Sequence, residues 1–151
     1  MDLILVRHAE AEEGTVDFSR RLTSKGKKEC QIIVKFLLKR ISYNFTVYSS
    51  PLLRAKETAS FFKKEIKIMD QLEPNSTPES FFRAISDVDD KETLICVGHQ
   101  PLIGAIAGKI LGLNYSLKTK KCGLWWFKGS FPKELELYCA VNPSMLTKEK
   151  K

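Results

Sequence analysis

The sequence predicts an α/β domain of three layers, with a mostly parallel central sheet flanked by helices and a β-hairpin at its end. Three observations carry this. Continuous apolar runs at Leu3-Ile4-Leu5-Val6 and Thr93-Leu94-Ile95-Cys96-Val97 suit strands buried on both faces. Stretches of helical spacing alternate with the strand-like runs, as in parallel strands joined by crossover helices. Two late strand-like runs, 123–127 and 134–140, face each other across a turn at 129–133, which reads as a hairpin.

The first strand, Leu3 to Val6, leads into a polar loop from Glu10 to Ser19. Cys30, Ile33, Val34, Leu37, Leu38 and Ile41 then recur at helical spacing, and Thr23 is placed to cap that helix. Phe45-Thr46-Val47-Tyr48 reads as the second strand. Ser50 and Pro51 open a helix as N-cap and first helical residue, with an apolar face of Leu52, Ala55, Ala59, Phe62 and Ile66. Ile66 to Met69 forms a short strand, and the polar stretch from Pro74 to Asp90 holds one short helix around Glu79–Ile85. After the 93–97 strand, Gly98-His99-Gln100-Pro101 turns the chain into a helix with face Leu102, Ile103, Ile106, Ala107, Ile110 and Leu111, stopped at Gly112. Trp125, Trp126 and Phe127 alternate faces of a strand, which favours packing over a stacking platform for bases.

A chain of 151 residues is one domain, assigned to 1–146, followed by a basic tail at 147–151. The 43% apolar and 28% charged composition excludes a disordered chain. No apolar run approaches the ~20 residues of a membrane-spanning helix, so no membrane partner is expected. The start, Met1 to Arg7, lacks the charged and apolar regions of a signal peptide, and a cytoplasmic monomer is expected. Cys30, Cys96, Cys122 and Cys139 form no C-x-x-C pair and read as buried, reduced thiols. The net charge of +7 is compatible with nucleic acid, an acidic protein, a phosphorylated substrate or a solvated surface, and only position can decide among them.

Position is informative for the two histidines. His8 directly follows the first strand and His99 follows the 93–97 strand, while Arg54 lies in the first turn after the second. Ligands in open α/β sheets bind outside the carboxyl ends of strands, so these residues are predicted at one rim. Arg7 and Arg54 offer guanidinium forks that match phosphate oxygens, and helix N-termini offer unpaired N–H groups. That combination is an anion pocket, and a neutral imidazole within it can attack phosphorus. His8-Ala9-Glu10 matches the H-x-E half of a zinc deaminase signature, but the P-C-x-x-C half and any H-E-x-x-H are missing, so no metal or cofactor is expected.

At these residues the chain resembles the histidine phosphatase, or phosphoglycerate-mutase-like, superfamily. The likeness lies in Leu5-Val6-Arg7-His8-Ala9-Glu10, Arg20-Arg21-Leu22-Thr23-Ser24-Lys25-Gly26, Ser49-Ser50-Pro51-Leu52-Leu53-Arg54-Ala55-Lys56-Glu57-Thr58 and Val97-Gly98-His99-Gln100-Pro101, in the family's order. The usual R-H-G stands here as Arg7-His8-Ala9. The resemblance implies that His8 accepts the phosphoryl group and that Arg7, Arg54 and His99 form its pocket. Within the superfamily the chain is most similar to small bacterial phosphohistidine phosphatases. The short stretch from Arg54 to His99 leaves no room for a helical lid, Arg20-x-Leu22-Thr23 resembles a segment whose arginine helps hold phosphate, and the ending Asn142-Pro143-Ser144-Met145-Leu146 resembles that subgroup's close. An open site of this kind implies a phosphorylated side chain of another protein as substrate.

Many members take a general acid from the segment before the second histidine, where Glu73 and Glu79 stand here; Glu10 could serve instead, or could order the first loop. Lys118, Lys120 and Lys121 are either a solvated loop or a docking point for an acidic partner. The competing functions are a phosphatase of small sugar or nucleotide phosphates and a non-catalytic phosphoprotein- or RNA-binding module. Two retained histidines argue against the module, since binding alone needs no nucleophile, and nucleic acid is not expected as a partner.

Overall fold

Leu3, Ile4, Leu5 and Val6 are all fully buried, because the strand that carries them, β1 (Asp2–Arg7), lies inside a six-stranded sheet with helices on both faces. In the computed structural model, which describes residues 1–147, the chain continues through α1 (Ser24–Leu38), β2 (Thr46–Ser49), α2 (Leu53–Ser60), β3 (Ile66–Ile68), α3 (Pro78–Ala84), β4 (Thr93–Gly98), α4 (Leu102–Ile110), β5 (Leu124–Ser130) and β6 (Glu134–Val141). Residues 148–151 of the basic tail lie outside the described residues.

The strand order is β3-β2-β4-β1-β5-β6. β1 to β4 are mutually parallel, and the hairpin of β5 and β6 adds two antiparallel strands at the β1 side. The core divides into two clusters. On one face α1 and α2 place Cys30, Ile33, Leu37, Ala55 and Ala59 against Ile4, Val6, Val47, Ile95 and Trp126. On the other, α3 and α4 place Phe81, Leu102, Ile103 and Ile106 against Leu3, Leu5, Leu94, Cys96 and Phe127. Trp126 and Phe127 therefore pack on opposite faces. No helix of the described residues is long and apolar enough to cross a membrane.

The second helix differs from its expected form. α2 begins at Leu53 and ends at Ser60. Ser50 Oγ accepts the Leu52 N–H at 3.2 Å, so Ser50 closes a turn before the helix instead of capping it. Lys63, with φ at 55°, turns the chain after the helix toward β3, and Phe62 and Ile66 continue the apolar spacing only because both pack in the same core layer, Phe62 from the turn and Ile66 from β3 itself. α1 likewise ends at Leu38, which is exposed, before Ile41. Cys30, Cys96 and Cys122 are buried as expected, but Cys139 on the edge strand β6 is half-buried. The hairpin strands run to Ser130 and Val141, so the turn is shorter than 129–133.

Thr23 caps α1 through Gly26 N–H at 3.0 Å, and its own N–H donates to Glu10 O at 3.0 Å. A Cβ at Gly26 would lie 2.1 Å from that same Glu10 oxygen. Gly26→Ala is therefore expected to destabilise the domain by about 2 kcal/mol through forced backbone displacement. Urea unfolding checks this, and a midpoint equal to that of the parent would contradict the close approach.

Candidate active site

The carboxyl ends of three adjacent parallel strands assemble the site. Arg7 pairs with Gly98 across β1 and β4, and Ser49 pairs with Val97 across β2 and β4. The next residue of each strand is therefore His8, His99 or Ser50, all at one rim. This is the crevice that the sheet order opens where connections leave toward opposite faces.

His8 is held on both sides. Its N–H donates to Gly98 O at 2.9 Å, and its carbonyl accepts the Cys122 N–H at 3.2 Å. Its ring Nδ1 stands 2.7 Å from the Ala9 carbonyl. A carbonyl only accepts, so Nδ1 carries the proton and Nε2 presents a lone pair. Thr58 fixes the next peptide: its hydroxyl accepts the Ala9 N–H at 3.0 Å and donates to Arg54 O at 2.8 Å. One side chain of α2 thereby couples the backbone after His8 to the backbone of Arg54.

His99 packs beside His8 with ring centroids 5.0 Å apart, and its Nε2 is 2.8 Å from Ser50 Oγ. Arg7 is anchored by a 2.8 Å bond from its guanidinium to Thr119 O, and Trp125 Nε1 holds Thr119 Oγ1 at 2.9 Å. Arg54, only 5% exposed, donates to Asp17 O at 2.8 Å and pairs with the Asp17 carboxylate at 3.3 Å. Arg20 bonds Glu12 O and also reaches Asp17.

Arg7, His8, Arg20, Arg54 and His99 line one open cavity of about 310 Å³. Arg7 Nε, Arg54 Nε and His99 Nδ1 are buried with no protein partner. Buried polar atoms of this kind are normally satisfied, and an oxyanion resting among them would accept from the two Nε–H groups. Among the described residues, no three His, Cys, Asp or Glu side chains cluster as metal ligands.

The carboxylates are arranged differently from the expectation. Glu79 sits on α3, exposed, paired with Lys109 at 3.5 Å, and lines a separate cavity between α3 and α4. Glu73 is next to Pro74, which lines the site cavity, but is not itself part of the lining. Glu10 accepts the Thr23 hydroxyl at 2.8 Å, a bond that holds its carboxyl below the usual range, so it orders the first loop as an ionised group. Glu13 is the carboxylate that lines the cavity.

Burial lowers both imidazoles, His8 to about 4 and His99 to about 3, with Arg54 and Arg7 adding to the shift in each. Both rings are neutral at pH 7. A neutral imidazole is the form that can act as a nucleophile, so a reaction through His8 would persist as pH falls until it passes through about 4. The acid limb of kcat/KM, corrected for substrate ionisation, is therefore expected near pH 4. A limb centred at 6.5 would contradict a buried neutral nucleophile. Because the unfolded chain takes up these protons first, stability is expected to fall as pH drops from 6.5 to about 4 for His8 and about 3 for His99.

Residues 3–76 match the family described as the histidine phosphatase superfamily, branch 1. No curated protein sequence matches the chain. Its structure is similar to the protein histidine phosphatase SixA solved with tungstate, with a TM-score of 0.88 and 17% identity, covering 97% of this chain and 100% of that one. It is similar to a SixA protein from Agrobacterium tumefaciens, with a TM-score of 0.77 and 22% identity over 94% of this chain and 98% of that one. It is also similar to a phosphoserine phosphatase from Entamoeba histolytica solved with 3-phosphoglyceric acid, with a TM-score of 0.74 and 17% identity over 97% of this chain and 99% of that one. At these identities the structural likeness is one of fold. Together with the family match over residues 3–76, which carry Arg7, His8, Arg20 and Arg54, it makes the chain similar to the histidine phosphatase superfamily in both sequence and fold.

Proposed function

We propose that this protein is a metal-independent phosphatase that works through a phosphohistidine intermediate on His8, and that its substrate is phosphohistidine on another protein. The observation that carries the reading is the His8 tautomer: Nδ1–H fixed on the Ala9 carbonyl leaves Nε2 as a lone pair inside a pocket lined by the buried Arg54 and the half-buried Arg7. A phosphoryl group docks with its oxygens on Arg7, Arg20, Arg54 and His99. His8 Nε2 forms a bond to phosphorus as the bond to the leaving nitrogen breaks; that nitrogen keeps the electron pair, and the proton already on the other nitrogen of the substrate ring makes the leaving group a neutral imidazole. Water then attacks phosphorus, releases phosphate and returns the electron pair to Nε2.

The leaving group decides the substrate class. An alkoxide needs a proton from a general acid, which contributes ~10²–10⁴-fold. Among the described residues Glu13 is the one carboxylate in the cavity lining, and no carboxylate hydrogen-bonds either histidine. A phosphoramidate nitrogen can already be protonated and needs less help, and the open cavity admits a side chain on a larger partner. Incubation with a phosphohistidine-bearing protein and a panel of phosphomonoesters, with and without a chelator, tests this. Turnover of the esters alone would overturn the substrate, and loss of activity on chelation would overturn the metal-free chemistry.

Glu79 belongs to the ion pair with Lys109, away from the site cavity. Glu79→Gln is therefore expected to leave kcat unchanged, where removal of a general acid would cost ~10²-fold or more. Steady-state rates on both substrate classes check this.

A further inference from the structure

We propose that the groove beside the phosphate pocket docks an acidic stretch of the phosphorylated protein substrate, which sets the partner chemistry of the function proposed above and rests on that reading. The groove has a volume of about 600 Å³ and lies between the first turns of α1, the loop before β5 and the segment after β6. Lys25 and Lys28 of α1 line it, as do Lys120 and Lys121 of the loop. Arg7 and Lys121 line both this groove and the phosphate pocket, so the two adjoin. The groove is therefore within reach of a chain whose phosphorylated residue sits on His8.

The balance of charge names the occupant. Glu29 is the single acidic residue of the lining, and its carboxylate is occupied by the Glu10 N–H at 2.9 Å. Lys121 pairs with Glu10 at 3.5 Å. Among the described residues, Lys25, Lys28 and Lys120 pair with no carboxylate, and all three are exposed. The lining has no aromatic ring, so it offers no stacking platform for bases, which sequence-tolerant nucleic-acid grooves use. Solvated lysines along an open groove suit carboxylates of an extended peptide. They raise the encounter rate and fix orientation, and they do not touch the reacting atoms. The effect therefore falls on kcat/KM and weakens with salt.

The test is the triple variant Lys25→Ala, Lys28→Ala, Lys120→Ala, which leaves Arg7 and Lys121 intact. Two readouts are compared with the parent at low and high salt. One is binding of a fluorescent Glu-rich dodecapeptide; the other is kinetics on an acidic phosphohistidine-bearing protein and on free phosphohistidine. At low salt the variant is expected to lose about tenfold in peptide affinity and in kcat/KM on the protein, with kcat and free-phosphohistidine turnover unchanged. Unchanged peptide affinity and unchanged kcat/KM on the protein would overturn the proposal, as would an equal loss on free phosphohistidine. Tighter binding of a single-stranded RNA of equal charge, lost with the same lysines, would reassign the groove to nucleic acid. A parent enzyme that binds the peptide through these lysines but turns over no phosphohistidine would sink the substrate assignment and leave the docking groove standing.

Discussion

His8→Ala is expected to lower kcat by at least about 10⁴-fold, the scale on which loss of a nucleophile acts. The size follows from what the imidazole alone supplies. The pocket cations and the rim geometry do not depend on it: Arg7 is tied to Thr119 O, Arg54 to Asp17, and His99 to Ser50. Binding of a phosphate analogue such as tungstate should therefore survive the substitution while turnover does not. Rapid quenching of the parent with labelled substrate should trap an acid-labile phosphoenzyme, and the variant should show none. A His8→Ala protein that keeps turnover within tenfold of the parent would remove the covalent mechanism, and retained labelling would move the phosphoryl acceptor to another residue.

The legible parts of the fold were those where one physical signal dominates. β1 and β4 are apolar on both faces, and α1 and α4 present regular apolar spacing, so the sheet and its layers follow from the chain itself. The end of α2 is not legible because spacing records which way a side chain faces, and Phe62 in the turn and Ile66 on β3 enter the same core layer after the helix has ended. The site was legible to the same degree. His8 and His99 each stand immediately after a buried parallel strand, where the rim rule applies without knowing the fold in detail. Local sequence marks Ser50 as a cap, whereas in the fold it is the partner of His99, a contact made across two strands. Thr58 carries a local signal, one turn after Arg54 on the same helix face, but its bond to Ala9 N–H depends on α2 packing over β2 and β4, which brings it beside the loop after β1. Asp17 and Glu13 lie in a loop with no periodicity, so nothing in their neighbours pointed to the cavity. Glu79 occupies the right stretch of sequence for an acid, yet α3 carries it to Lys109.

Arg54→Ala is expected to lower kcat/KM by about 10²–10³-fold, the loss that follows removal of one preorganised donor to developing charge. Arg54→Lys should recover little, because a compact ammonium cannot reproduce a planar fork with several donors. Asp17 complicates this expectation, since its carboxylate already occupies Arg54 at 3.3 Å and Arg20 at 3.3 Å. If that pair dominated, the arginine would not be available to substrate. Magnitudes decide the matter. The Asp17 side chain is 64% exposed, and an ion pair so hydrated is worth at most about 1 kcal/mol. Each charge-assisted bond to a phosphoryl oxygen is worth about 1.5–3 kcal/mol, so the phosphoryl group wins the guanidinium. Asp17 then holds Arg54 and Arg20 in place before substrate arrives and adds a negative charge that substrate must overcome. Asp17→Asn should accordingly bind tungstate more tightly than the parent, while Arg54→Ala should bind it more weakly. Calorimetric titration of the three proteins separates the two effects: weaker binding by Asp17→Asn would show that the carboxylate is needed chiefly to position Arg54.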